Sequence, residues 1–366
     1  HYAEHNGGDE DLLDARNASS FVDGNNSAWN EMVAIVNGGD WSVMQQVLDV
    51  DNHIDYQIMN RYGGNSDLHS GNNWRAAGGG PFPPGQPELM APWQLYSWDA
   101  ERTLESPTNN GHANDPTNLR DTLLMHPEYR MRLIDRLQKH FFNDGALTAG
   151  ATRDRWMAWA SLLDRPIIAE AARWGDHRQD DGGADEVYDR NDDWLTEQAR
   201  LSNNYFPIRT AHVLNLYRSD NIFPDFDAPE FHVNAVPQHG GDIPAGQSLS
   251  IISPVGTIYY PLDGSDPRME GGTVNTSARM TPSGTPVPLT ESKLVRTRTL
   301  SSGEWSALNE AVFYVGTPPS AANLVISEIM FNPPGLSEEE EFVELMNISA
   351  TDTIDLGGLA FDEGIS

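Results

Sequence analysis

The chain has no cysteine and only two lysines, Lys139 and Lys293, among 366 residues. The first absence rules out disulfides and thiolate chemistry. It says little about compartment, because many exported proteins lack disulfides. The second leaves nearly all positive charge on arginine, and acidic residues outnumber Lys plus Arg by 54 to 23. A net charge of -31 argues against nucleic acid as a partner, since phosphate binding needs clustered basic residues. It suits a protein kept apart by self-repulsion in a saline or cation-rich setting. No apolar run approaches the roughly 18 residues that would span a membrane. The chain starts without Met, at His1-Tyr2-Ala3, shows no signal-peptide pattern, and stops at Gly364-Ile365-Ser366 inside a motif. It reads as an internal piece of a larger protein.

What is present supports packed cores. The hydrophobic share is 38% and the aromatic share 9%, and the length allows two or three domains. Up to about residue 224 the pattern is mostly helical. Ser27 or Asn26 is placed to cap a helix carrying Trp29, Met32, Val33 and Val36 at helical spacing. Asp51 is placed to cap the next, with Ile54, Ile58 and Tyr62 on one stripe and Gly63-Gly64 as its stop. Three further helices are expected: about Leu119 to Phe142, one holding Trp156, Trp159, Leu163, Ile167 and Ile168, and one from near Trp194 that Pro207 interrupts. The tryptophans at 156 and 159, and the Arg173-Trp174 pair, read as core or edge packing.

Pro224-Asp225-Phe226-Asp227-Ala228-Pro229 marks a boundary. Beyond it the composition shifts to Gly, Pro, Ser, Thr and Val, with short strands and frequent turns, the signature of a β-sandwich. Asp263-Gly264-Ser265-Asp266 has oxygen donors for Ca²⁺, but a β-turn accounts for it better. Glu338 to Glu341 reads as a solvated loop. His1 and His5 are four apart at a chain end and lack the glutamate of a zinc-protease motif, so they read as a chance pair.

The chemistry concentrates in two stretches. One is Asn65-Ser66-Asp67-Leu68-His69-Ser70-Gly71-Asn72-Asn73-Trp74, the other Trp93-Gln94-Leu95-Tyr96-Ser97-Trp98-Asp99-Ala100-Glu101. An Asp with an Asn one loop later, then an Asp ending an apolar strand, is the arrangement of kinase-like phosphoryl transfer. The first Asp accepts a hydroxyl proton. The Asn and second Asp are oxygen ligands suited to a hard cation that keeps phosphates and water in its shell. A hairpin joining the two stretches is the natural reading. A spacing of five residues from Asp67 selects Asn72 as the ligand. Matching on Asn-Trp selects Asn73, with Trp74 anchoring the next strand.

Together with Val22-Asp23-Gly24, Leu48-Asp49-Val50-Asp51-Asn52, Tyr62-Gly63-Gly64, Ala171-Ala172-Arg173-Trp174-Gly175-Asp176 and Asn203-Asn204-Tyr205-Phe206-Pro207, these stretches resemble the CotH kinase family, the spore-coat-type secreted kinases. The resemblance covers roughly the first 220 residues. It implies Asp67 as catalytic base and Asp99, Asn73 or Asn72, and Glu101 as ligands of Mg²⁺ or Mn²⁺ carrying ATP. Asp99, directly after an apolar strand, is expected half buried. Glu101 stands where the family more often has Asp; it shares the face of Asp99 if the strand continues. His69 is more simply a surface residue than a phosphate contact. In that family the lobe that clamps phosphates precedes the region seen here, so the chain alone is expected to have little or no activity. Arg61, Arg75 and Arg102 are candidate partial substitutes.

Residues Gly256 to Arg268, with Val295-Arg296-Thr297-Arg298 and Phe313-Tyr314-Val315, resemble the β-sandwich appended to chitobiases and hexosaminidases. Leu324 to Pro334, Glu341 to Asn347 and Asp355-Leu356-Gly357-Gly358 resemble the start of a lamin-tail domain. The expected fold is therefore multidomain. Residues 1–224 form a mainly α (α+β) kinase-like C-lobe with a short hairpin and without its N-terminal lobe. Residues 229–316 form an immunoglobulin-like β-sandwich, and residues 323–366 a truncated second one. The expected activity is ATP-dependent transfer of phosphate to a hydroxyl of a protein (Ser or Thr) or surface polymer, in a secreted or cell-surface bacterial protein. The sandwiches would serve glycan or cell-surface contact. A rival reading is a non-catalytic adhesion scaffold with a degenerate kinase domain. A weaker third, polysaccharide processing, rests on the hexosaminidase-type module alone.

Overall fold

The computed structural model describes residues 11–13, 21–68, 73–83, 85–86, 89–110, 115, 117–176, 187–243, 247–317, 319–330, 342–350, 354, 356 and 359. It is α+β and forms two compact units, His1–Asp225 and Phe226–Ser366. Among the described residues no helix is long and apolar enough to cross a membrane.

The first unit opens with helices α1 (Ser27–Gly38), α2 (Trp41–Val47) and α3 (Val50–Gly63). Ala28, Trp29, Met32 and Val36 are buried on α1, the expected stripe. Helix α3 is capped two residues before the expected position. Asp49, not Asp51, accepts the Asn52 N–H at 3.0 Å. Asp51 lies inside the first turn and pairs with Arg132 instead, at 2.6 Å. The stop is as the sequence implies: Gly64 takes the left-handed conformation at φ 65° and returns its N–H to Arg61 and Asn60.

Strands β1 (Asp11–Leu13), β2 (Phe21–Asp23), β3 (Trp74–Gly79) and β4 (Ala91–Ser97) make a sheet in the order β2-β1-β3-β4. Strands β3 and β4 are antiparallel, with Trp74 opposite Ser97 and Ala76 opposite Leu95. Helix α3 is tied to β4 by Asn52, whose side chain accepts from Leu95 N (2.6 Å) and donates to Leu95 O (3.2 Å). Trp29, Trp74 and Trp93 form the aromatic centre, Trp29 lying 5.9 Å from Trp74 and edge-on to Trp93 at 5.0 Å. Each such pair adds about 1 kcal/mol beyond area burial. Gly78 lets the strands close over this centre, because a Cβ there would lie 2.6 Å from the Trp93 Cα.

Two expected helices are broken by prolines at their natural first-turn positions. The first becomes α4 (Arg120–Leu124) and α5 (Pro127–Phe141); the second becomes α6 (Ala149–Leu163) and α7 (Pro166–Trp174). The expected break at Pro207 does not occur. Helix α8 (Leu195–Arg200) passes through a π-helical turn, Leu201–Tyr205, into α9 (Phe206–Ser219). A π turn shifts the register by one residue, so the missing Pro207 N–H falls in a new first turn. The apolar residues of α6 and α7 do not form the expected core. Only Ala160 is buried on α6 and none on α7, while Trp159 is 64% and Ile168 55% exposed.

In the second unit, strands β5 (Glu230–Val233), β6 (Val236–Pro237), β8 (Leu249–Ile252) and β11 (Pro286–Val287) form one sheet, ordered β11-β8-β5-β6. Strands β7 (Gly241–Ile243), β9 (Thr257–Tyr260), β10 (Arg279–Thr281), β12 (Lys293–Ser301) and β14 (Asn309–Val315) form another, ordered β10-β9-β12-β14-β7, with β13 (Glu304–Trp305) against β12. Both sheets feed one core that includes Phe231, Leu249, Ile251, Ile258, Val295 and Phe313. The alternating burial of β5, β9 and β14 is the half-buried strand pattern. Strands β15 (Leu324–Met330) and β16 (Phe342–Asn347) pair as an antiparallel hairpin.

The Asp263–Asp266 stretch is a turn, as the sequence favours. Asp263 accepts from Ser265 N and Oγ at 3.0 and 2.6 Å. The Asp266 carboxylate takes two hydrogen bonds from the buried Arg298, at 2.7 and 2.6 Å.

Candidate active site

The chain leaves α3 at Gly64 and turns at once through Asn65. Asn65 is buried and held by Asn60, whose Oδ1 accepts its Nδ2 at 3.0 Å and whose backbone carbonyl accepts its N–H at 3.1 Å. The Asn65 Oδ1 in turn accepts the Asp67 N–H at 3.2 Å. This Asx turn is what aims Asp67, and the helix end supplies its footing.

Asn73 completes the loop. It is 3% exposed, sits in the left-handed region at φ 64°, and donates Nδ2 to Asp67 Oδ2 at 2.9 Å. Turning the amide nitrogen toward Asp67 directs its carbonyl oxygen elsewhere. Asn72 and His69 lie outside the described residues. The Asn-Trp match is thus the one whose geometry is on view: Asn73 immediately precedes Trp74, the first residue of β3.

Asp99 lies just past the same end of the ladder as Asn73, because Trp74 pairs with Ser97. Asp99 is exposed and left-handed, at φ 50°. Both departures correct the expectation of a half-buried carboxylate continuing the strand. Strand β4 ends at Ser97, so the alternation that would put Glu101 on the same face no longer applies. Glu101 is exposed as well. Asn and Asp tolerate positive φ better than most residues, and paired left-handed residues at one ladder end mark a specified geometry rather than a loose loop.

The two stretches are joined beyond the hairpin. Ser66 N donates to Arg102 O at 3.1 Å, which ties the Asp67 loop to the segment after Asp99. The Arg102 guanidinium is held more firmly protonated than usual, chiefly by its 2.7 Å bond to Glu105, with the fields of Asp67 and Glu101 adding to it. The structure therefore brings together Asp67 and Asn73 in direct contact and the Asp99–Arg102 segment beside them.

The three candidate arginines separate. Arg61 is 7% exposed, stacks on the Tyr217 ring at 4.2 Å and pairs with Asp220 at 2.7 Å, which makes it a structural residue. Arg75 lies over the Trp98 ring at 4.6 Å, and Arg102 is exposed.

Sequence reading missed the clamp behind the site. Arg209, fully buried, donates to four backbone carbonyls: Tyr62 (2.7 Å), Arg61 (2.5 Å), Pro107 (3.1 Å) and Asn109 (2.5 Å). Desolvation pulls its guanidinium below the usual arginine range. The Tyr205 hydroxyl donates to Tyr62 O at 2.8 Å, and Arg200 to Leu104 O at 2.7 Å and Glu105 O at 3.1 Å. These groups bind the C-terminal carbonyls of α3 to the segment following Asp99, where a cation also meets the negative end of the helix dipole. Its signal was available: Tyr205, Arg209, Val213 and Tyr217 are spaced by four and all buried, so an arginine occupies a core stripe.

A helix that ends at an acid-bearing turn, an Asp–Asn contact, and a second Asp past the end of an antiparallel strand pair thus lie in neighbouring segments. The family model described as CotH kinase protein matches residues 9–205. No curated protein and no solved structure matches the chain. The chain belongs to the CotH kinase protein family, and its first unit is kinase-like. Such a family implies a nucleotide and a divalent cation in general. The donors here are oxygens, which fits a hard cation. Among the described residues no three acidic or histidine side chains are gathered into one shell.

Proposed function

We propose that the first unit supplies the base and cation side of a kinase that transfers the γ-phosphoryl group of ATP to a hydroxyl, on protein Ser or Thr or on a surface polymer. The observation that carries this reading is the 2.9 Å bond from Asn73 to Asp67 Oδ2. It orients the carboxylate that takes the hydroxyl proton as the acceptor oxygen bonds to phosphorus and the bond to the β,γ-bridging oxygen breaks, releasing ADP. Asn73 Oδ1, Asp99 and, with its longer arm, Glu101 would hold Mg²⁺ or Mn²⁺. A cation held there would supply neutralisation of the charge developing on the phosphoryl oxygens. The chain's own part is positioning, with Ser66 fixing the base loop to the segment that carries Asp99.

In this reading the protein acts outside the cell or on its surface. Residues 229–316 are a chitobiase-type, immunoglobulin-like sandwich, and residues 323–366 begin a lamin-tail domain, serving contact with glycans or the surface. The two-sheet core around Phe231 and Phe313 and the β15–β16 hairpin support these assignments. The rival, a non-catalytic scaffold, draws on the exposure of Asp99 and Glu101.

A thermal-shift titration with Mn²⁺ and ATP, on the chain and on Asp99→Asn, separates the two. A kinase gives saturable stabilisation of the wild type alone, about 2.7 kcal/mol at a hundredfold excess over Kd. A scaffold gives no shift in either, and no transfer from γ-labelled ATP in the parent protein.

A further inference from the structure

Beside the acidic site lies a cleft of about 330 Å³. One wall is the end of α3, at Met59 and Tyr62; another is Ala100 to Leu104, the segment that follows Asp99; the third is α6, with Trp156 and Trp159. Its volume suits one or two apolar side chains. Large apolar side chains stand open at its rim, Trp159 being 64% exposed and Met59 49%. Large apolar groups left in water next to a charged site mark a binding surface.

We propose that this cleft anchors the acceptor polypeptide by an apolar side chain, aliphatic or aromatic, placed a few residues from the hydroxyl that receives phosphate. The proposal rests on the kinase reading for its acceptor role. Two observations select a polypeptide side chain over a nucleobase. First, the cleft adjoins the candidate site along the chain, since the lining residues Ser97, Ala100 and Thr103 flank Asp99 and Glu101. Second, most of its polar side chains are already engaged, Ser97 and Arg155 apart. The Tyr62 hydroxyl is bonded to Thr152 Oγ1 (3.1 Å), Asn60 Nδ2 to Tyr56 O (2.9 Å), Thr103 Oγ1 to Ala100 O (2.9 Å) and Trp156 Nε1 to Gln198 Oε1 (2.7 Å). A base needs donors and acceptors along its edge; these walls offer apolar surface instead. Arg155, exposed at the rim, is hydrogen-bonded only to Ala146 O (3.1 Å) among the described residues and is placed to meet the backbone carbonyls or an acid of the guest.

The test uses fluorescein-labelled heptapeptides centred on Ser, each with Leu or Gly fixed at one flanking position, and reads anisotropy with the full chain. At one or two positions the Leu peptide is expected to bind at least tenfold tighter than its Gly counterpart. Trp159→Ala and Met59→Ser change exposed residues, so both fold, and each cuts that preference at least fivefold. Asp67→Asn leaves the preference intact. Equal binding of Leu and Gly peptides, an unchanged preference in both cleft variants, or displacement by adenosine alone overturns the proposal. Transfer of phosphate to peptides with no apolar preference overturns the cleft and keeps the kinase. Selective binding without transfer in the parent protein overturns the acceptor role and the kinase reading together, while the peptide site stands.

Discussion

Arg209 lies with its guanidinium against the C-terminal end of α3, its Nε donating to Tyr62 O at 2.7 Å, although 147 positions separate the two residues. One buried side chain thus holds the helix that precedes Asp67 and the segment that follows Asp99. Truncating it leaves several buried carbonyls unpaired, each costing about 1–3 kcal/mol where water cannot reach. Arg209→Met should lower stability by about 3 kcal/mol in urea unfolding followed by tryptophan emission. Arg209→Lys should recover little, because a point-like ammonium cannot span four carbonyls with the fixed fork of a guanidinium. Recovery to within 1 kcal/mol by lysine would show that charge, rather than geometry, carries the clamp.

The Asp67–Asn73 contact can be isolated without disturbing the backbone. Asn73 sits at φ 64°, which glycine adopts freely. Asn73→Gly therefore keeps the loop's path while deleting the amide. Phosphoryl transfer by the parent protein should fall about 10²-fold, the usual cost of losing one oriented polar group at a reacting centre. Stability should change by less than about 1 kcal/mol. Asn73→Asp sets a second carboxylate against Asp67 and should do worse, with activity recovering partly as pH falls and one of the pair takes up a proton.

The fold itself should be acid-sensitive from near neutrality. His53 is fully buried, its Nδ1 is 2.9 Å from the Tyr129 hydroxyl, and desolvation holds its pKa below the usual value, against a smaller upward pull from Asp115. The folded chain keeps His53 neutral, whereas the unfolded chain protonates it below about pH 6.5. Its contribution is complete above that pH and is lost as pH falls, at up to about 1.4 kcal/mol per unit. Asp51 acts lower: its hydrogen bond to Arg132 depresses its pKa, so its contribution is present above the ordinary carboxylate range and lost below it. Urea midpoints between pH 8 and 5 should decline in the wild type. A His53→Gln variant, destabilised overall, should show a flatter profile across that window.

Local chemistry made the site's parts legible. Asn65-Ser66-Asp67 announces a turn, Gly63-Gly64 a helix stop, and Leu95-Tyr96-Ser97 a strand, and each forms where its residues demand. What could not be read was set by distant partners. Whether Asp99 is buried depends on where β4 ends and on which residue Arg102 chooses, and Arg102 chooses Glu105. The fate of Pro207 depends on a π turn that no propensity signals. Trp159 of α6 carries a core-like spacing yet is exposed, because periodicity reports an apolar stripe and not what covers it.

In the second unit the charge pair Arg298–Asp266 gives the last prediction. Arg298 is 1% exposed and its two bonds to Asp266 fix the turn that begins at Asp263. Breaking a buried pair from one side strands the remaining charge, at a cost of about 3–5 kcal/mol. Asp266→Ala should therefore destabilise the sandwich by about 3 kcal/mol, read by emission from the buried Trp305, whose Nε1 is bonded to Gly272 O at 2.7 Å. Asp266→Ala with Arg298→Met should recover part of that loss, since no charge is then left buried. The same geometry predicts indifference to calcium. Asp266 is engaged by Arg298, and Asp263 is held below the usual carboxylate range by its bonds to Ser265. Millimolar Ca²⁺ should leave the melting temperature of this unit unmoved, and a saturable rise would mean that the turn opens to take the ion.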